Sequence, residues 1–87
     1  MTTQLEQRVT RALADTEDLP TLIAELEADI RQAHETAALE RRCSYTPGIT
    51  LDDARAAMAR AVDAEQRAQR HLATLPALRA KLAATAA

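Results

Sequence analysis

Apolar side chains recur along the first half of the chain at Leu5, Val9, Ala12, Leu19, Ile23, Leu26, Ile30, Ala33 and Ala37. With Thr16 inserted, the steps alternate between four and three residues. That alternation sets a single stripe along a helix and is the mark of a coiled-coil seam. Leu13 and Leu22 widen the stripe and offer a second packing surface. The phase continues in the second half through Leu51, Ala54, Met58, Ala61, Glu65, Ala68, Leu72, Leu75, Arg79 and Leu82. This second stripe is weaker, because much of it is alanine and Glu65 and Arg79 sit on it.

Turn and cap residues divide the pattern into two arms. Thr3 followed by Glu6 reads as a capping box that starts the first arm. Ser44-Tyr45-Thr46-Pro47-Gly48-Ile49-Thr50 is the one clear loop, and its Pro-Gly step is a strong turn signal. Thr50 with Asp53 starts the second arm, with Ile49 placed to act as a hydrophobic staple. The expected fold is therefore all-α: an antiparallel helical hairpin or coiled coil forming one domain over residues 1–87. Arm one covers about 3–43, the loop about 44–50 and arm two about 51–84. Pro20 follows the cap-rich run Asp15-Thr16-Glu17-Asp18 and predicts a kink or tight break in arm one. Leu75-Pro76 echoes Leu19-Pro20 and predicts a kink or break in arm two as well. If residue 42 faces residue 51, the two Leu-Pro steps meet at one level.

Composition makes the core thin. Hydrophobic residues are 47% of the chain, yet 21 of them are alanine, and only 19 are larger apolar side chains. Alanine forms helices well but contributes little buried area. Small domains with thin cores need a staple or a partner. Cys43 is the single cysteine, so no disulfide within one chain is possible, and it suits a reducing, cytoplasmic setting. Oligomerisation, with a dimer first, or docking on a larger protein is the expected remedy. The seam expected to do this work comprises Leu5, Val9, Leu19, Ile23, Leu26, Ile30, Met58, Leu72, Leu75 and Leu82.

Charge adds orientation. Residues 1–44 carry nine acidic and five basic residues, net −4, and residues 45–87 carry four and six, net +2. The arms should attract, with Arg67 and Arg70 near Glu25 and Glu27 and Arg79 near Asp15. The total of −2 gives no pull toward nucleic acid or a membrane surface. No apolar run is long enough to span a bilayer.

Candidate chemistry is sparse. Nucleophilic catalysis needs a base within reach of the nucleophile, and neither His34 nor His71 is placed near Cys43. The histidines do not cluster with other metal ligands, and Gly48 alone makes no phosphate cradle. The expectation is no enzyme activity, cofactor or metal. The distinctive surface is the tip, where Arg41, Arg42, Tyr45, Pro47 and Ile49 lie within nine residues. Tyr and Arg are favoured interface anchors.

The Ala/Glu/Arg-rich arm Leu26–Arg42, the short Pro-containing loop, the second arm Asp52–Arg70 and the Leu-Pro-x-Leu step within Leu75–Leu82 resemble small helical-hairpin proteins encoded in bacterial prophages. The resemblance implies a viral accessory or particle-assembly role, in the host cytoplasm or the virion, and carries over no functional residue. Two readings follow. One is a self-associating structural or assembly component. The other is a small inhibitor or adaptor that binds a host protein through the tip or an arm face.

Overall fold

A computed structural model describes residues 4–14 and 18–86 of the chain. They form three helices: α1 (Gln4–Ala14), α2 (Leu19–Ser44) and α3 (Leu51–Ala86). At about 1.5 Å per residue, the 36 residues of α3 span about 54 Å. That nearly equals the 57 Å length of the molecule, so α3 is its axis.

The hairpin of α2 and α3 agrees with the expected all-α architecture, and its loop falls where the Pro-Gly step placed it. The carbonyl of Thr46 accepts the Ile49 N–H at 3.1 Å, and Gly48 between them has φ +84°. Pro at the second position and a positive-φ Gly at the third are the requirements of a type II turn. The Thr50 hydroxyl oxygen then accepts the Asp53 N–H at 3.1 Å and caps α3, and Asp52 and Asp53 lie at its positive end.

Arm one is not continuous. Glu6 pairs with Arg70, the Ala12 carbonyl accepts from Lys81, and Arg8 pairs with Glu25. Ascending positions in α1 meet ascending positions in α3, so α1 runs parallel to α3 and antiparallel to α2. In a straight arm, Glu6 would face a level beyond the end of the chain. The heptad phase carried across Thr16 is therefore a coincidence of two separate stripes on antiparallel helices. Pro20 marks a break rather than a kink. It occupies the first turn of α2, where its missing N–H leaves no helical bond unmade. Asp18 precedes that turn. Its carbonyl accepts the Leu22 N–H at 3.0 Å, and its carboxylate accepts the Thr21 hydroxyl at 2.6 Å. The Thr3 cap, Thr16, Asp15 and the side chain of Leu13 lie outside the described residues.

Pro76 behaves differently: α3 runs through it without ending. Pro76 is exposed, so the Leu72 carbonyl that its ring leaves unpaired can be served by water. The two Leu-Pro steps do not meet. His71 faces Asp29 and Arg79 faces Glu27, which brackets Pro76 at the level of residues 27–29. Pro20 lies seven to nine residues further along α2, about 10–13 Å away. Arg67 likewise meets Asp29 and Arg70 meets Glu6, rather than Glu25 and Glu27. This register differs by about ten residues from one in which 42 faces 51, because α3 begins beyond the end of α2. Glu40 is level with Arg60, so the last turn of α2 ends near Ala56, and the first turns of α3 project past it.

The core divides accordingly. Where α1 covers the hairpin, Leu19, Leu22, Ile23, Leu26, Ile30, Leu75 and Leu78 are buried with Val9 and Ala12, and Leu5 and Leu82 pack on the edge. Toward the tip, the seam is Ala37 against Ala61 and Ala64. Small side chains let two backbones approach closely there, and each side chain contributes little area.

The seam of α3 runs through Ala54, Ala57, Ala61, Ala64, Ala68, His71, Leu75, Leu78 and Leu82. It shares every second position with the expected stripe and takes its other members one residue earlier. Met58 and Leu72, expected in the seam, are 37% and 48% exposed. The physical reason is charge: the later choice would bury Glu65 and Arg79, and the earlier one has His71 as its only polar member.

The turn is the point most sensitive to backbone chemistry. An added Cβ at Gly48 meets nothing within 4 Å, so only its φ opposes substitution. Gly48→Ala should cost about 1–2 kcal/mol of stability and Gly48→Asn less, as measured by chemical denaturation.

Candidate protein-interaction site

The tip residues separate in space. Arg41 lies on the last turn of α2 and pairs with Glu65 across the hairpin. That bond holds the Glu65 carboxyl below its ordinary value and raises the Arg41 guanidinium. Arg41 is therefore a hairpin clasp as well as a tip residue. Arg42, the next residue, is exposed and turned about 100° further round α2, away from the seam. Tyr45, 78% exposed, is the C-cap of α2, and its N–H donates to the Arg42 carbonyl at 3.2 Å. Pro47 is exposed at the turn and Ile49 is half-buried behind it. Ser44, Tyr45, Ala54, Arg55 and Met58 line a shallow depression of about 320 Å³ between the end of α2 and the overhanging start of α3. Cys43 is exposed nearby, and neither histidine approaches it among the described residues.

The distribution of large side chains is inverted at this end. The seam is alanine, while Leu39, Tyr45, Leu51, Met58 and Val62 are exposed. Leu51 is 65% exposed, because the first turn of α3 overhangs α2 and no helix among the described residues lies beside it. On α3, Leu51, Met58, Val62 and Leu72 share one flank. The ion pairs fix which flank it is. Arg41–Glu65 and Glu27–Arg79 lie along it, and Glu40–Arg60 and Asp29–Arg67 lie along the other, where α1 packs.

The covered flank holds the most buried polar residue among those described. His71 is 1% exposed, and its Nε2 lies 2.7 Å from Asp29 Oδ2. Arg67 Nε, also buried, is 3.3 Å from the same oxygen in an ion pair without hydrogen-bond alignment. A buried polar ring requires a partner, and Asp29 supplies it from one turn beyond Leu26. Sequence reading missed this triad, because Asp29 and His71 pair only in the observed register. Its signal was the single polar residue in an otherwise apolar stripe. A cavity of about 360 Å³ adjoins it, lined by Glu6, Val9, Thr10, Arg70, His71, Ala73 and Thr74 between α1 and α3.

Among the described residues, no helix is long and apolar enough to cross a membrane, and no group of three potential metal ligands converges. The chain matches no protein family, no curated protein and no solved structure.

Two outcomes test this geometry. Asp29→Ala strands the buried His71 ring and should cost about 1–3 kcal/mol, read by thermal or urea denaturation. Asp29→Ala with His71→Leu should recover part of the loss, since both polar partners are then gone. Glu65→Gln should destabilise the chain at neutral pH. Because the folded Glu65 carboxyl titrates below its ordinary value of 4.5, the contribution of the ion pair is complete above that value. The gap between wild type and Glu65→Gln should therefore narrow as pH falls through the folded value. A gap constant with pH would show that the pair adds nothing.

Proposed function

We propose that this protein is a non-enzymatic helical interaction module that self-associates and serves as a structural or assembly component. The observation that carries this reading is the inverted packing of the two-helix end. A helix pair that buries alanine and exposes Leu39, Tyr45, Leu51, Met58 and Val62 leaves its larger apolar side chains in water. On the α3 flank, Leu51, Met58 and Val62 follow one another along a single stripe, and an exposed apolar stripe on a small protein marks an interaction site. The three-helix end has a closed leucine core and acts as the base on which this prong is presented. The resemblance of the sequence to prophage hairpin proteins points to particle assembly as the setting.

A second reading rests on the exposure of Tyr45 above its shallow depression: the tip, with Arg42, grips a different protein. Sedimentation separates the two. Self-association should appear as a mass that rises above 9.5 kDa with concentration in the micromolar range. A stably folded monomer throughout that range would overturn the first reading and leave the tip as the contact.

A further inference from the structure

From the exposed flank of α3, we infer that two copies of this chain pair through that flank in antiparallel fashion, with a two-fold axis at the level of Val62. The inference rests on the self-association reading and specifies its geometry.

The flank consists of Leu51, Arg55, Met58, Val62, Glu65 and Leu72, with Gln69 completing the spacing. The steps are 4, 3, 4, 3, 4 and 3 residues, so the stripe read backward has the same alternation. An isologous dimer sets one patch against itself in reverse. Turned about Val62, Leu51 falls opposite the partner's Leu72, and Val62 opposite the partner's Val62. Met58 falls opposite the partner's Glu65. The Glu65 carboxylate is drawn toward its own Arg41, which leaves its methylene stem to meet Met58.

The register also answers the two least satisfied features of this face. Leu51 sits on the overhanging first turn of α3, where no segment among the described residues covers it. In the pairing it packs on the partner's Leu72, which is 48% exposed. Charge selects the direction. A parallel pairing would stack Arg55 on the partner's Arg55 and Glu65 on the partner's Glu65. The antiparallel one places each Arg55 beside Gln69 of the partner subunit and within about one turn of the partner's Glu65. The neighbouring outer positions Ala59 and Ala73 are small and exposed, so the two α3 helices can approach closely. The net charge of −2 per chain opposes association only weakly.

Cysteine crosslinking of the full chain in a Cys43→Ser background tests this. The V62C variant should form a disulfide-linked dimer on mild oxidation. An equimolar mixture of L51C and L72C variants should crosslink, while L51C alone should not, since the two Leu51 positions lie about 31 Å apart across the pair. Val62→Asp should shift the sedimenting mass from twice 9.5 kDa to 9.5 kDa with helicity unchanged. Efficient crosslinking of L51C alone would establish a parallel pair and overturn the inference. A dimer in sedimentation without the 51–72 crosslink would also overturn it and leave self-association standing. A monomer at every concentration would overturn both.

Discussion

The packing of α1 into the groove between α2 and α3 decides where large side chains can be used in this molecule. Two helices alone share one narrow seam, and neither flank of that seam is covered. A third helix closes one flank. Leu22, Leu78 and His71, which lie toward that side, then become fully enclosed. Hence the chain concentrates its leucines and isoleucines in the half that α1 reaches and fills the other half with alanine. The break before Pro20 is what allows this, because it turns α1 back over its own neighbour instead of extending the arm.

Enclosure on that flank creates an electrostatic demand. His71 occupies a seam position between alanine and leucine layers, and there its ring must be satisfied from within. Asp29 does so and in turn draws in Arg67. A buried polar contact of this kind stabilises little compared with an apolar pair, and removing one partner leaves the other buried and unsatisfied. The pairs Glu40–Arg60, Arg41–Glu65 and Glu27–Arg79 repeat the same alignment along the hairpin at positions open to solvent, where screening leaves each of them little to add to stability.

Much of this architecture is legible in the sequence, and the failures have definable causes. The seam of α2 and the loop follow directly from heptad spacing and from Pro47-Gly48, since both are local properties. The direction of α1 is not local. Its stripe of Leu5, Val9 and Ala12 has the right phase to continue into α2, and only tertiary contact separates the two possibilities. In α3, the size of Leu51, Met58 and Leu72 pulls the expected seam toward them. The folded chain instead avoids burying Glu65 and Arg79, because an uncompensated buried charge costs more than a leucine left in water. The candidate contact residues at the tip were visible as types, while the α3 flank became visible only once the true seam was known.

The separation of the molecule into a closed three-helix end and an alanine-seamed pair has a consequence for how such a protein can vary. The seam repeats every seven residues, and the alanine layers form a cluster separate from the one that α1 joins. One heptad inserted into each helix near Ala37 and Ala61 would lengthen the projecting pair by about 10 Å and leave the leucine base untouched. In this respect the two-helix end is a spacer of adjustable length, graduated in heptads, mounted on a fixed foundation.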